Sequence, residues 1–153
     1  MIDDGPETRD RLSAALHVGR WVDEVASGCP YPSVDALLGV ADLAARTLTA
    51  REVDEALSAH PRIGEATSWL STAEQAASAT DDPALVEAMA VGNQTYEQRF
   101  GRIFLIRAAG RSRVEVLAEL HRRLGLSDDE ETSEVAGQLR EIALLRLRTL
   151  FAS

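Results

Sequence analysis

Residues 112–150 read SRVEVLAELHRRLGLSDDEETSEVAGQLREIALLRLRTL. Ser112 is followed three residues later by Glu115, and Ser127 by Glu130. At that spacing the serine hydroxyl accepts from the glutamate's backbone N–H while the glutamate reaches back to the serine's own N–H, so each pair opens a helix. Gly125 stops the first helix after Leu124, and the second runs from Ser127 to about Leu150. Successive helical residues turn by about 100°, which places Val135, Leu139, Ile142, Arg146 and Leu150 on one face. The period is helical throughout, with none of the alternation of a strand.

The same reading extends outward. Asp82-Pro83 is a helix start, because proline suits the first turn; that helix runs to Phe100 and stops at Gly101. Ile103 to Ile106 is a short apolar run with no second strand to pair with, so it reads as a buried connector. His60 to Ser68 holds Pro61 and Gly64 and no helical period, and reads as a loop. Thr49 and Glu52 form a further capping box ahead of Val53, Ala56 and Leu57. Ser33 caps a helix with Leu37, Leu38, Val40, Ala41 and Leu43 on its apolar side, after the breaker Gly28-Cys29-Pro30-Tyr31-Pro32. Leu12, Ala15 and Leu16, then Trp21, Val22 and Val25, have helical spacing. The expectation is an all-α bundle of about seven to eight helices, one domain over residues 1–153, with residues 1–8 flexible.

Composition narrows the function. The chain is 45% hydrophobic and 27% charged, as suits a packed core in water, and its net charge of -9 argues against nucleic acid or an anionic membrane as partner. The single cysteine, Cys29, allows no internal disulfide and reads as a small buried hydrophobe; no Cys/His spacing suggests zinc. Residues 1–10 lack the apolar segment of a signal peptide and no apolar run reaches membrane-spanning length, so a cytoplasmic enzyme or binding module is expected. No Ser-His-Asp set, P-loop or GxGxxG is present.

Three places carry candidate chemistry. His60 follows the helix ending near Ala59 and precedes Pro61. It reads either as a helix-end histidine interacting with the dipole or as a general acid–base group on a backbone stiffened by proline. Glu74 and Gln75 follow Ser71 at capping-box spacing, which alone explains them; a rigid helix N-terminus also welcomes an anionic or carbonyl-bearing ligand. Arg146 sits on the apolar face of the last helix, where it needs a partner: an internal carboxylate, the surface, or a substrate carboxylate. Arg140 and Arg148 point the other way. His121, with Val114, Leu117 and Leu124, reads as a hydrogen-bonded core histidine; His17 has no evident partner; Asp128 to Glu131 reads as helix-start charge and not a metal site.

Three segments in this order resemble one family. They are Ala59-His60-Pro61-Arg62-Ile63-Gly64, Ser71-x-x-Glu74-Gln75, and Asn93-x-x-Tyr96-x-x-Arg99-Phe100-Gly101 continuing through Phe104 to Ser112. Each is similar to a signature of the 2-oxo-4-hydroxy-4-carboxy-5-ureidoimidazoline (OHCU) decarboxylases, and weaker likeness extends the match from about Leu12 to Leu150. The resemblance implies catalytic roles for His60, Glu74 and Arg146. It implies substrate contacts from Pro61, Ser71, Gln75 and the wall Ile103, Phe104, Leu105 and Ile106, with no metal and no cofactor. Arg102 and Arg107 depart from the family's usual residues. The implied reaction is decarboxylation of OHCU to (S)-allantoin and CO2 in urate breakdown. The partner is a small ureide and neither nucleic acid nor membrane, with a homodimer as the assembly to test. The competing readings are an all-α interaction module and a hydrolase or isomerase of a related ureide.

Overall fold

A computed structural model describes residues 1–60, 74–76 and 79–152. Seven helices lie among them, with no strand beyond one isolated bridge between Ile2 and Tyr31. They are α1 (Pro6–Ala15), α2 (Gly19–Ala26), α3 (Val34–Ala45), α4 (Ala50–Leu57), α5 (Pro83–Phe100), α6 (Arg113–Leu124) and α7 (Asp128–Leu150). The chain forms two compact units, Met1–Ala59 with Ala136–Ser153, and His60–Val135.

The first unit is built by local signals. Ser33 Oγ accepts from the N–H of Ala36 at 3.2 Å and starts α3. Thr49 and Glu52 complete their capping box at the head of α4. Val18, at the head of α2, has no side chain able to cap, so Glu55 of α4 supplies a carboxylate oxygen 2.9 Å from the Gly19 N–H. Arg20 ties the same helices, donating Nε and Nη2 to the two Glu52 oxygens at 2.8 and 3.1 Å and Nη1 to the Ala44 carbonyl at 3.0 Å. That fork holds the Glu52 carboxyl down at about 2. Trp21 is fully buried and donates its indole N–H to the Ala41 carbonyl at 3.1 Å.

Two expectations change here. The buried residues of α3 are Leu37, Leu38, Ala41, Ala44 and Ala45. Leu43 is 67% exposed because at about 100° per residue it falls opposite the centre of that arc. His17 does have a partner: its Nδ1 lies 3.0 Å from Ser13 Oγ. At the N-terminus, Ile2 exchanges two 2.8 Å backbone bonds with Tyr31, and Arg9 pairs with Asp4.

In the second unit, Asp82 caps α5 by accepting from the Ala84 N–H at 2.9 Å, and Gly101 ends it at φ 73, a left-handed conformation that glycine adopts without strain. Residues 102–111 run without helix to the Ser112–Glu115 capping box of α6. The core joins Met89, Tyr96, Phe104, Ile106, Val116 and Leu120. Gly92 lets α5 and α6 close up, since a Cβ there would lie 3.2 Å from a Leu120 methyl. Ser127 and Glu130 exchange hydrogen bonds at the head of α7.

The inward face of α6 differs from expectation. It carries Arg113, Val116, Leu117, Leu120 and Arg123, whereas Val114 is 61% exposed and His121 is exposed. Hydrophobicity alone favours the stripe with valine and histidine. The stripe with two arginines wins because Arg123 finds a buried carboxylate and a carbonyl.

Candidate active site

His60 stands three residues beyond the end of α4 and is half-buried. The last carbonyls of α4 are met locally: the Ser58 N–H donates to Asp54, the Ala59 N–H to Ala56, and Ser58 Oγ to the Glu55 carbonyl at 2.7 Å. Three of the last four carbonyls of α4 are thus met without the imidazole, and both explanations for a histidine at this place, helix-end partner and acid–base group, stay open. Glu74 and Gln75 lie together in a helical turn and are half-buried. Pro61 and Ser71 lie outside the described residues, and so does the rest of the loop expected over residues 61–68.

Arg146 is 7% exposed and shares its face with Val135, Leu139 and Ile142, all buried, as the period requires. Its Nη1 donates at 2.9 Å to the carbonyl of Ala14. α1 ends at Ala15, so this carbonyl belongs to the last turn, where oxygens lack helical donors and the dipole is negative. The helix end thus both satisfies and aims the guanidinium. A guanidinium has five N–H donors in one plane, so fixing one fixes the direction of the others. Arg148 is exposed, and Arg140 lies 3.6 Å from Asp42.

The connector expected at Ile103 to Ile106 is in place. Phe104, Leu105 and Ile106 are buried and Ile103 half-buried, all outside any helix. Among the described residues, no backbone hydrogen bond is donated by their amides. Beside them, Arg102 buries its Nη1 with no acceptor among the described residues. A segment outside any helix leaves its backbone groups to tertiary partners, and the Leu105 carbonyl finds one in Arg123 Nη1 at 2.8 Å.

A buried polar cluster escapes the sequence reading. Arg123 and Glu131 are wholly buried and paired through both guanidinium and carboxylate forks, and the Tyr96 hydroxyl donates to Glu131 Oε1 at 2.6 Å. Burial, and then the bond to Glu131, push the Tyr96 phenol well above its ordinary range. Arg99, nearby in sequence, donates to Asp128 at 2.8 Å and to the Leu126 carbonyl at 3.1 Å. The block Asn93-x-x-Tyr96-x-x-Arg99-Phe100-Gly101 thus joins α5 to the start of α7. Its signal in the sequence is the spacing of Asn93, Tyr96 and Phe100 on one side of α5, with Glu131 inside the acidic run at the head of α7.

Four likenesses to known proteins bear on this arrangement. A profile of the OHCU decarboxylase family matches residues 4–148. The chain is 32% identical over 138 residues to the 2-oxo-4-hydroxy-4-carboxy-5-ureidoimidazoline decarboxylase of Haloferax volcanii, covering 87% of this chain and 82% of that one. It is 30% identical over 152 residues to the uric acid degradation bifunctional protein TTL of Arabidopsis thaliana, covering 94% of this chain and 47% of that longer protein. A crystal structure of an OHCU decarboxylase in the presence of (S)-allantoin is similar at a TM-score of 0.80 and 25% identity, over 94% of this chain and 99% of its own. The profile spans all seven described helices but for the last two residues of α7, and it contains every candidate residue from His60 to Arg146; the chain belongs to the OHCU decarboxylase family.

Proposed function

We infer that this chain is a carboxy-lyase that converts OHCU to (S)-allantoin and CO2 in urate breakdown. The observation that carries the reading is Arg146, a guanidinium kept inside an apolar helix face and aimed by a backbone carbonyl, within a chain of this family. Such a group suits an anionic substrate better than packing alone.

The chemistry asks little of the protein. In OHCU the carbon bearing the carboxylate neighbours a ring C=N bond. When the bond to the carboxylate breaks, its electron pair forms a new ring C=C, the former C=N pair moves to nitrogen, which takes up a proton from solvent, and CO2 departs. The resulting enol loses its hydroxyl proton and gains a proton at the ureido-bearing carbon, which gives allantoin. The substrate is its own electron sink. The chain also has no lysine among its 153 residues, so no side-chain amine is available for an imine route. In this reading Arg146 binds the carboxylate or the neighbouring oxygen. His60, oriented by Glu74, polarises the hydroxyl or relays the proton on one face. Gln75 and the amides of residues 103–106 hold the ureido and ring carbonyls.

Freshly generated OHCU decays unaided to racemic allantoin, so rate and chirality are read together. The expected result is accelerated CO2 release with the (S) product in excess. Release at the uncatalysed rate, or a racemic product, would refute the assignment.

A further inference from the structure

Residues 103–106 belong to no helix, so something outside the backbone ladder must orient their peptide planes before their amides can meet a ligand. Arg123 is placed to do so. It is fully buried, donates Nη1 to the Leu105 carbonyl at 2.8 Å, and lays its guanidinium 4.7 Å from the centre of the Phe104 ring. Glu131 grips it from the other side, accepting Nε at 2.9 and 3.2 Å and also Nη2, and Tyr96 donates to the same carboxylate. The Tyr96 ring meets Phe104 edge-on with centroids 5.2 Å apart. In a trans peptide the C=O and the following N–H point in opposite directions. Anchoring the Leu105 oxygen on Arg123 therefore turns the Ile106 N–H to the far side of the connector. A buried ion pair is no bargain for stability, since apolar residues of equal volume often do as well. A guanidinium that spans one carboxylate and one chosen backbone oxygen fixes a direction that apolar packing cannot.

We propose that Arg123, held by Glu131 and Tyr96, is a positioning residue for the decarboxylation, aiming the Leu105–Ile106 peptide so that the Ile106 N–H donates to a carbonyl oxygen of the ureide. The proposal rests on residues 103–106 lining the substrate pocket. The test titrates (S)-allantoin into 15N-labelled full-length protein and measures steady-state kinetics on fresh OHCU, for wild type, Arg123→Lys and Tyr96→Phe. Wild type shows the Ile106 amide resonance moving on titration. Lysine cannot span both acceptors, so Arg123→Lys raises KM about tenfold, the weight of one misdirected hydrogen bond, and loses most of the Ile106 response. Tyr96→Phe keeps both rings and removes one of the bonds that hold Glu131 Oε1, leaving those from Arg123; KM rises about threefold, a fraction of one hydrogen bond. Wild-type KM and Ile106 response in Arg123→Lys, with only thermal stability reduced, would overturn the proposal. If Arg123→Lys does not fold, the same result in Tyr96→Phe overturns it. A wild-type titration that moves no amide of residues 103–106 refutes the pocket reading itself, and is told apart because it is seen without any variant.

Discussion

At the scale of single residues, the structure separates side chains that the sequence leaves equivalent. Arg146 and Arg148 are two positions apart, yet the first is 7% exposed and the second lies on the outer face. Arg146→Ala should lose about 10²-fold or more in kcat/KM, as loss of a positioned charge does, while Arg148→Ala stays within error of wild type. Because Arg146 also serves the Ala14 carbonyl, its alanine variant should lose about 1 kcal/mol of stability as well, the net worth of one hydrogen bond. Arg146→Lys separates the two effects: an ammonium can still meet the carbonyl but not present a planar fork, so stability returns and activity does not. For His60, the carbonyls of Asp54, Glu55 and Ala56 at the end of α4 are met by Ser58 and Ala59, so losing the imidazole should cost the helix little. His60→Asn should therefore keep its melting temperature and lose about 10² to 10⁴-fold in rate, the range of a general acid–base group. Near-full activity in that variant would return His60 to the helix end. Glu74→Gln makes the matching test, since glutamine serves as well as glutamate at that place of a capping box and cannot supply charge to an imidazole. It should fold normally and be inactive.

At the scale of elements, what was legible is what is decided within four residues. Ser33, Thr49, Ser112 and Ser127 all cap as their spacing demands, and Asp82-Pro83 and Gly101 bound α5 as read. The face of α6 was not legible, because it turns on Glu131 and Tyr96, eight residues ahead and 27 residues back in the chain. A local reading sees His121 among apolar neighbours and Arg123 as charge; only the tertiary partners reverse the preference. The same limit applies to the site. The inward place of Arg146 follows from its period alone, but the cluster that holds the 103–106 connector does not. The capping boxes carry a prediction at this scale. Ser112→Ala strands the Glu115 N–H at the head of α6 and should cost about 1 kcal/mol, read as a lower denaturation midpoint with an unchanged m-value. Unchanged stability would mean that water replaces the serine without loss.

For the molecule as a whole, acid is the informative stress. The chain carries 25 acidic residues against 16 basic ones, a net charge of -9 at pH 7. Mild acidification should first relieve that repulsion. Against this stands the set of carboxylates whose folded pKa lies below the ordinary value. Glu52 is held at about 2, chiefly by its bond to Arg20; Glu119 is lowered by Arg122, and Glu115 and Glu130 by their serine partners at helix starts. A carboxylate with a depressed folded pKa contributes stability that is complete above its unfolded value and is lost as pH falls toward the folded one. These groups thus leave stability level between pH 7 and 5 and drain it between about 4.5 and 2. Below that window the 16 basic residues and three histidines repel with nothing to offset them. The Arg20–Glu52 pair should dominate, because Glu52 is only 14% exposed and bound through both oxygens, whereas exposed pairs contribute little. Glu52→Gln is therefore expected to be less stable than wild type at pH 7 by about 1 to 2 kcal/mol, to converge on it as pH approaches 2, and so to show a shallower acid slope. Urea unfolding at a series of pH values measures this directly. Parallel curves for the two proteins would mean that Glu52 titrates alike folded and unfolded, and that the acid lability belongs to other carboxylates.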